Sequence, residues 1–135
     1  MNTYNINDEN FQNSEVYKSF IKDNPVNGYL KIRAYSASGA IPVRGLKIVV
    51  STEYNGDNIV FFDGFTDTSG VIEKITLPAP RLTSDNLDIP SKRIYDISAT
   101  YPDNLVDLKY QVNIYEDVFV IQNINIVPEA SSGGL

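Results

Sequence analysis

The sequence has no cysteine, no histidine and no tryptophan. Without cysteine there is no disulfide framework, no thiol nucleophile and no thiolate metal ligand. Without histidine the chain lacks the commonest general base, the commonest zinc ligand and the usual pH switch. We therefore expect a protein that is not an enzyme and that has no catalytic, cofactor-binding or metal site.

Long apolar runs and an excess of positive charge are missing as well. The longest apolar runs, such as residues 59–62, are too short to span a bilayer. The formal net charge of −6 disfavours nucleic acid and anionic membrane surfaces as partners, and it favours solubility. The first ten residues have neither a basic end nor an apolar segment, so we expect synthesis in the cytoplasm without a signal peptide.

The strongest pattern that is present is the alternation of apolar and polar residues with a period of two. It begins with two strands in residues 28–52, joined by a corner with glycine and proline. Asn55 and Gly56 predict a type I′ hairpin turn, and the apolar run that follows is typical of a strand covered on both faces or one with a bulge. Such spacing predicts an all-β sandwich of about seven strands in a single domain. The later strands are predicted at residues 58–66, 71–77, 93–101, 105–115 and 118–127.

The regions outside the strands divide the chain further. Residues 1–13 are polar and predict a flexible arm, which is also able to pair with a neighbouring subunit's sheet edge. A short helix is predicted over residues 15–22, with Ser14 as its N-cap. Residues 14–128 then form the domain, residues 78–90 a long proline-bounded loop, and residues 129–135 a flexible tail.

Two groups of side chains are candidates for contacts with partners. Apolar residues of the arm and the helix form a stripe that must dock on the sandwich or on a partner. Tyrosines on outward strand positions or turns suit protein interfaces or the faces of sugars. The possible interface residues are Ile6, Phe11, Val16, Tyr17, Phe20 and Ile21, and the possible glycan or partner contacts are Tyr29, Tyr35, Tyr54 and Tyr101.

Two further chemistries are weak alternatives. Acidic residues at turns offer oxygen ligands for calcium, but their spacing matches no known calcium loop. A lysine–asparagine isopeptide bond with a buried carboxylate as helper is a second alternative, although the lysines lie on the polar phase of their strands. The residues concerned are Asp57, Asp63, Asp67, Asp85 and Asp88 for calcium, and Lys31, Lys47, Asn123, Asn125 and Glu73 for the bond.

Four stretches at turns and strand ends form a recognisable set, namely GYLKI at residues 28–32, AIPVRG at 40–45, TDTSG at 66–70 and LPAP at 77–80. Together they resemble the corresponding stretches of carboxypeptidase-regulatory-like domains. The resemblance covers roughly residues 14–128 and implies a seven-stranded transthyretin-like (prealbumin-like) sandwich. One turn departs from it, because YPDN at residues 101–104 stands where many relatives have a glycine–aromatic pair.

Two later stretches narrow the resemblance. YDI at residues 95–97 and QNINIVP at 122–128 are similar to a branch in spore-forming Firmicutes. That branch includes the non-catalytic leading part of spore cortex-lytic enzymes. Transthyretin-like hydroxyisourate hydrolases and intradiol dioxygenases share the sandwich but rely on histidines, so the resemblance implies neither activity here.

The function expected from these observations is a non-enzymatic structural or interaction module. An open sandwich has edge strands that must be covered or used, so we expect self-association or docking into a larger spore, surface or phage-tail-like assembly. The partners would be copies of the chain or other proteins. The alternative is a glycan- or peptidoglycan-binding accessory module that works with a separate cell-wall lytic enzyme.

Overall fold

The fold is a sandwich of two β-sheets in a computed structural model that describes residues 1–83, 89–101 and 106–127. Within these residues the chain forms nine strands, two α-helices and one 3-10 turn. The strands are β1 (Thr3–Asn5), β2 (Val26–Ser36), β3 (Ile41–Pro42), β4 (Lys47–Tyr54), β5 (Asp57–Phe65), β6 (Val71–Ala79), β7 (Arg93–Tyr101), β8 (Val106–Ile114) and β9 (Phe119–Asn125), and the helices are α1 (Glu9–Gln12), α2 (Glu15–Asp23) and the 3-10 turn Ala37–Gly39.

One sheet, called here the β4 sheet, has the strand order β1-β5-β4-β7-β8. The other, the β2 sheet, is centred on β2, which pairs antiparallel with β3 and β6 and parallel with β9. Alternate side chains of both sheets meet in the core, where Leu30, Ile48 and Ile97 are almost completely buried. The predicted all-β sandwich is therefore confirmed: its seven long strands are β2 and β4 to β9, and β1 and β3 are short additions.

Local sequence signals explain two features of β4 and β5. Asn55 and Gly56 have φ values of 50° and 84°, as a type I′ turn requires, and they join the two strands in a tight hairpin. Further along, Val50 pairs with Phe62 whereas Ser51 pairs with Val60. Phe61 is therefore an extra residue in β5, and the bulge is the alternative that holds for this apolar run.

The prediction for residues 1–13 is corrected by the structure. β1 runs parallel to β5 of its own chain, and Phe11 of α1 is buried. The arm is thus folded onto the sandwich, because its few apolar residues pack into an apolar cluster there. The sequence did not predict this packing, because these residues show no local periodicity. The domain boundaries stay a prediction, since residues 129–135 lie outside the described residues.

The proline-bounded loop also begins later than predicted. β6 continues to Ala79, so that Pro78 lies within the strand and pairs with Asn27 of β2. A proline is tolerated there because β6 is an edge strand, whose outward amide positions need no partner. The middle of this loop and the departing turn at residues 102–104 lie outside the described residues.

Candidate functional site

The apolar stripe of α2 packs against other residues of its own chain. Ser14 caps the helix by accepting a hydrogen bond from the Tyr17 amide at 3.2 Å. Phe20 and Phe11 are buried, and their rings belong to a second apolar cluster beside the main core. The partly buried members of that cluster include the remaining predicted interface residues, which are Ile6, Val16, Tyr17 and Ile21. The structure brings the predicted interface set together, but as an intramolecular packing surface.

Tyr54 is placed in the same cluster, which contradicts its prediction as a glycan contact. Its ring meets Phe20 edge to face at a centroid distance of 5.1 Å, and only 7% of the residue is exposed. Its hydroxyl donates to the Asp23 carboxylate at 2.8 Å and lies 2.7 Å from the Ser19 hydroxyl. Tyr54 thus connects α2 to the end of β4, because its ring packs on the helix and its hydroxyl forms hydrogen bonds with it.

Tyr95 is a second tyrosine that is committed to the core. Its hydroxyl donates to the Pro78 carbonyl oxygen at 2.6 Å and so links the two sheets. Burial raises the pKa of Tyr95 far above its ordinary value, and nearby Arg93 offsets only part of that rise. The phenol therefore stays neutral as a hydrogen-bond donor, and it is too enclosed to serve as a contact for a ligand.

The outer face of the β2 sheet carries a different kind of surface. Tyr29 of β2 stacks on Phe119 of β9, with ring centroids 6.1 Å apart. Lys74 lies on β6, the neighbour of β2 on the other side, and its ammonium is 4.7 Å from the centre of the Tyr29 ring. Phe119 remains 51% exposed and Ile121, two residues further along the same face, is 53% exposed. We call the surface of Tyr29, Phe119 and Ile121 the outer apolar patch.

The strand that carries this patch is unusually rich in exposed apolar side chains. Residues 118–127 contribute four of the exposed large hydrophobic side chains of the described residues. These are Val118, Phe119, Ile121 and Val127. Soluble proteins seldom expose several large apolar side chains side by side without a partner that uses them. The strand itself is predicted from the sequence, and residues 118–127 contain no charged side chain.

The remaining predicted tyrosines are distributed over both sheets. Tyr35 is half-buried at the end of β2, on the same phase as Tyr29. Burial raises the pKa of Tyr110, and the proximity of Tyr35 adds to the rise.

Tyr101 lies on β7 and packs against the main core. The structure therefore brings only Tyr29 and Tyr35, of the four predicted contacts, to one face.

Charged residues around the outer apolar patch are mainly basic. The Lys31 ammonium lies 3.4 Å from the Glu73 carboxylate, and Arg33 is exposed beside Asn123. The side chain of Glu73 is 74% exposed, so it is not the buried helper that an isopeptide bond needs. Three basic side chains and one acidic side chain therefore flank the patch, and Lys31 and Glu73 offset each other.

The described residues offer neither a metal cluster nor a membrane-spanning helix. Across residues 1–83, 89–101 and 106–127 no group of three or more acidic side chains is placed to hold a metal ion. Asp85 and Asp88, two of the calcium candidates, lie outside these ranges. No helix of the described chain has the length and apolar character needed to cross a membrane.

No protein-family model and no curated protein matches the sequence. Among solved structures, the chain is similar to the Klebsiella pneumoniae 5-hydroxyisourate hydrolase, with 15% sequence identity and a TM-score of 0.48. The match covers 73% of this chain and 90% of that chain. The match assigns no substrate and no site residue to this chain.

The comparison does correct one prediction. The chain was expected not to be an enzyme, yet a protein of similar structure is a hydrolase. The expectation rested on the lack of histidine and cysteine, which removes particular catalytic groups and not catalysis as a whole. A sandwich of this kind hosts both enzymes and other proteins, so the fold leaves the class of activity open.

Proposed function

We propose that the chain is a structural or interaction module that associates through its β2 sheet with copies of itself or within a larger assembly. The observation that carries the proposal is the outer apolar patch, in which Phe119 and Ile121 stay more than half exposed next to Tyr29. Burying such side chains against a partner is favourable by roughly 25 cal/mol per Å² of apolar surface. The resemblance to spore proteins of Firmicutes supports a spore or cell surface as the setting.

The proposal predicts association in solution. We expect the molar mass, measured by light scattering after size-exclusion chromatography, to rise from 15.1 kDa as the protein concentration increases. The concentration series should span about 1 μM to 1 mM, because the affinity of a contact does not follow from its area alone. A molar mass that stays at that of one chain throughout the series would contradict self-association.

A second candidate function is binding to a glycan such as peptidoglycan. It is favoured by one observation, which is that Tyr29, Tyr35 and Phe119 share a face with the amides of Asn123 and Asn125. Aromatic faces and amides are the groups that sugars contact in proteins. Sedimentation with purified peptidoglycan separates the two candidates, because an interaction module with protein partners stays in the supernatant.

A further inference from the structure

The free edges of the two sheets are protected to different degrees. β6 carries Pro78 and the charged pair Glu73 and Lys74, and its pairing with β2 has an irregular register. β8 carries Asp107 and Lys109, and β1 is only three residues long. Charges, prolines, bulges and short lengths are the devices that keep edge strands from pairing with other chains.

β9 has none of these devices in the described residues. Its partner there is β2, and the pairing runs without interruption from Tyr29 opposite Phe119 to Tyr35 opposite Asn125. Residues 118–127 have no charge and no proline, and they are rich in valine and isoleucine. An edge of this composition is suited to accept another strand.

The hydrogen bonds to β2 show which backbone groups remain available. The Tyr29 amide donates to the Val118 carbonyl at 3.0 Å, and the Ile126 amide donates to the Tyr35 carbonyl at 2.8 Å. Backbone groups alternate sides along a strand. The N–H and C=O groups of the even-numbered residues of β9 therefore point towards β2. The amides and carbonyls of the odd-numbered residues point to the open edge, and these residues are Phe119, Ile121, Asn123 and Asn125.

We infer that β9 pairs antiparallel with β9 of a second copy of the chain, around a two-fold axis at Gln122. This inference rests on the proposed function and specifies the surface and partner that it uses. With the axis at Gln122, Phe119 pairs with Asn125 of the copy and Ile121 with Asn123, so every outward residue has a partner. A register shifted by one pair leaves an outward residue at the end of the strand unpaired.

The side chains on the core side also match in this register, whereas on the outer face Phe119 and Ile121 lie opposite the amides of Asn125 and Asn123. The side chains of the even-numbered residues point to the core side of the sheet. There Val120 would lie opposite Ile124 of the copy in an apolar contact. Gln122 would lie opposite its own equivalent, in the closer, non-hydrogen-bonded type of pair, where the two amides can bind each other. The two β2 sheets then form one continuous sheet across the axis.

A second copy fits this edge better than the other occupants do. Two chains of net charge −6 repel each other over most of their surfaces, whereas the strip of residues 118–127 is uncharged in both. The chain's own residues 128–135 have the sequence PEASSGGL, whose proline, glycines and serines are poor strand formers. An antiparallel pair of identical strands requires no further component.

The test places a charge at the axis. Gln122→Glu changes the side chain without changing its size, and it brings two carboxylates opposite each other in the dimer. We expect the dissociation constant of the dimer, measured by analytical ultracentrifugation, to rise about five- to tenfold. Asn113→Asp is the matched control, because it adds the same charge on the exposed face of β8 and should leave the constant unchanged.

A mixture of two variants separates a lost contact from a damaged fold. Gln122→Lys should also weaken association alone, whereas an equimolar mixture with Gln122→Glu should associate again because opposite charges meet at the axis. If the wild-type protein associates but neither variant differs from Asn113→Asp, the β9 pairing is wrong while the proposed function stands. If the wild type is a monomer at all concentrations, or if only truncation after Val127 produces dimers, a second copy does not occupy the edge.

Discussion

Replacing Phe20 by alanine is expected to lower the free energy of unfolding by about 3–5 kcal/mol, the usual cost of removing a buried aromatic ring. Phe20 is fully buried, and its ring contacts Tyr54 and Phe61 at centroid distances of 5.1 and 5.5 Å. The Arg93 guanidinium lies 5.4 Å from the same ring. Chemical denaturation of the purified variant measures the loss directly.

A matched control comes from the exposed side of the same helix. Lys18→Ala removes only a solvent-exposed ion pair with Glu15, at 3.6 Å, and should change the free energy of unfolding by less than about 0.5 kcal/mol. A Phe20→Ala protein as stable as this control, but with weaker association, would show that the helix stripe serves a partner after all.

The second large effect is expected for Gly70→Ala, which should destabilise the protein by about 2–4 kcal/mol. Gly70 has a φ of +74° in the turn before β6. A Cβ atom there would meet the Ala34 carbonyl oxygen and would lie 2.9 Å from the Val43 backbone nitrogen. Backbone atoms move less readily than side chains, so the turn must shift and weaken the hydrogen bond from the Ala34 amide, now 2.7 Å long.

Gly56→Ala separates the two causes of that loss. Gly56 also has a positive φ, +84°, but no atom lies within 4 Å of the place where its Cβ would be. The variant should therefore lose only the conformational term of roughly 1–2 kcal/mol. Equal losses for the two variants in the same denaturation experiment would show that the close approach at Gly70 has no energetic consequence.

The sequence predicted those elements whose signals are local. Alternation along β2 and β4 fixed which side chains face the core, and the Asn55-Gly56 turn fixed the hairpin between β4 and β5. Ser14 marked the start of α2 for the same reason, because its side chain binds an amide within the next turn. In each case a contact between near neighbours decides the conformation.

Elements that depend on distant partners were missed. β1 is three residues long and exists because β5 offers it an edge, more than fifty residues away. Tyr54, predicted on an outward position or turn as a possible glycan or partner contact, is buried because α2 packs on it. Neither contact leaves a periodic pattern in the sequence.

The candidate site was missed for a related reason. Residues 118–127 are predicted as a strand, but only the parallel pairing of β9 with β2 shows that no second strand of the described residues pairs with it. Only with that topology does the lack of charge gain meaning, because the same sequence in a central strand would be ordinary.

We propose that the chain associates through the edge of β9 that faces away from β2. Amide hydrogen exchange across a concentration series tests it most directly, since it reports each backbone amide separately. We predict that the amides of Phe119, Ile121 and Asn123 exchange rapidly in dilute protein and become protected as the concentration rises, while Val120, Gln122 and Ile124 are protected throughout. Rapid exchange of the three odd-numbered amides at every concentration would contradict the claim.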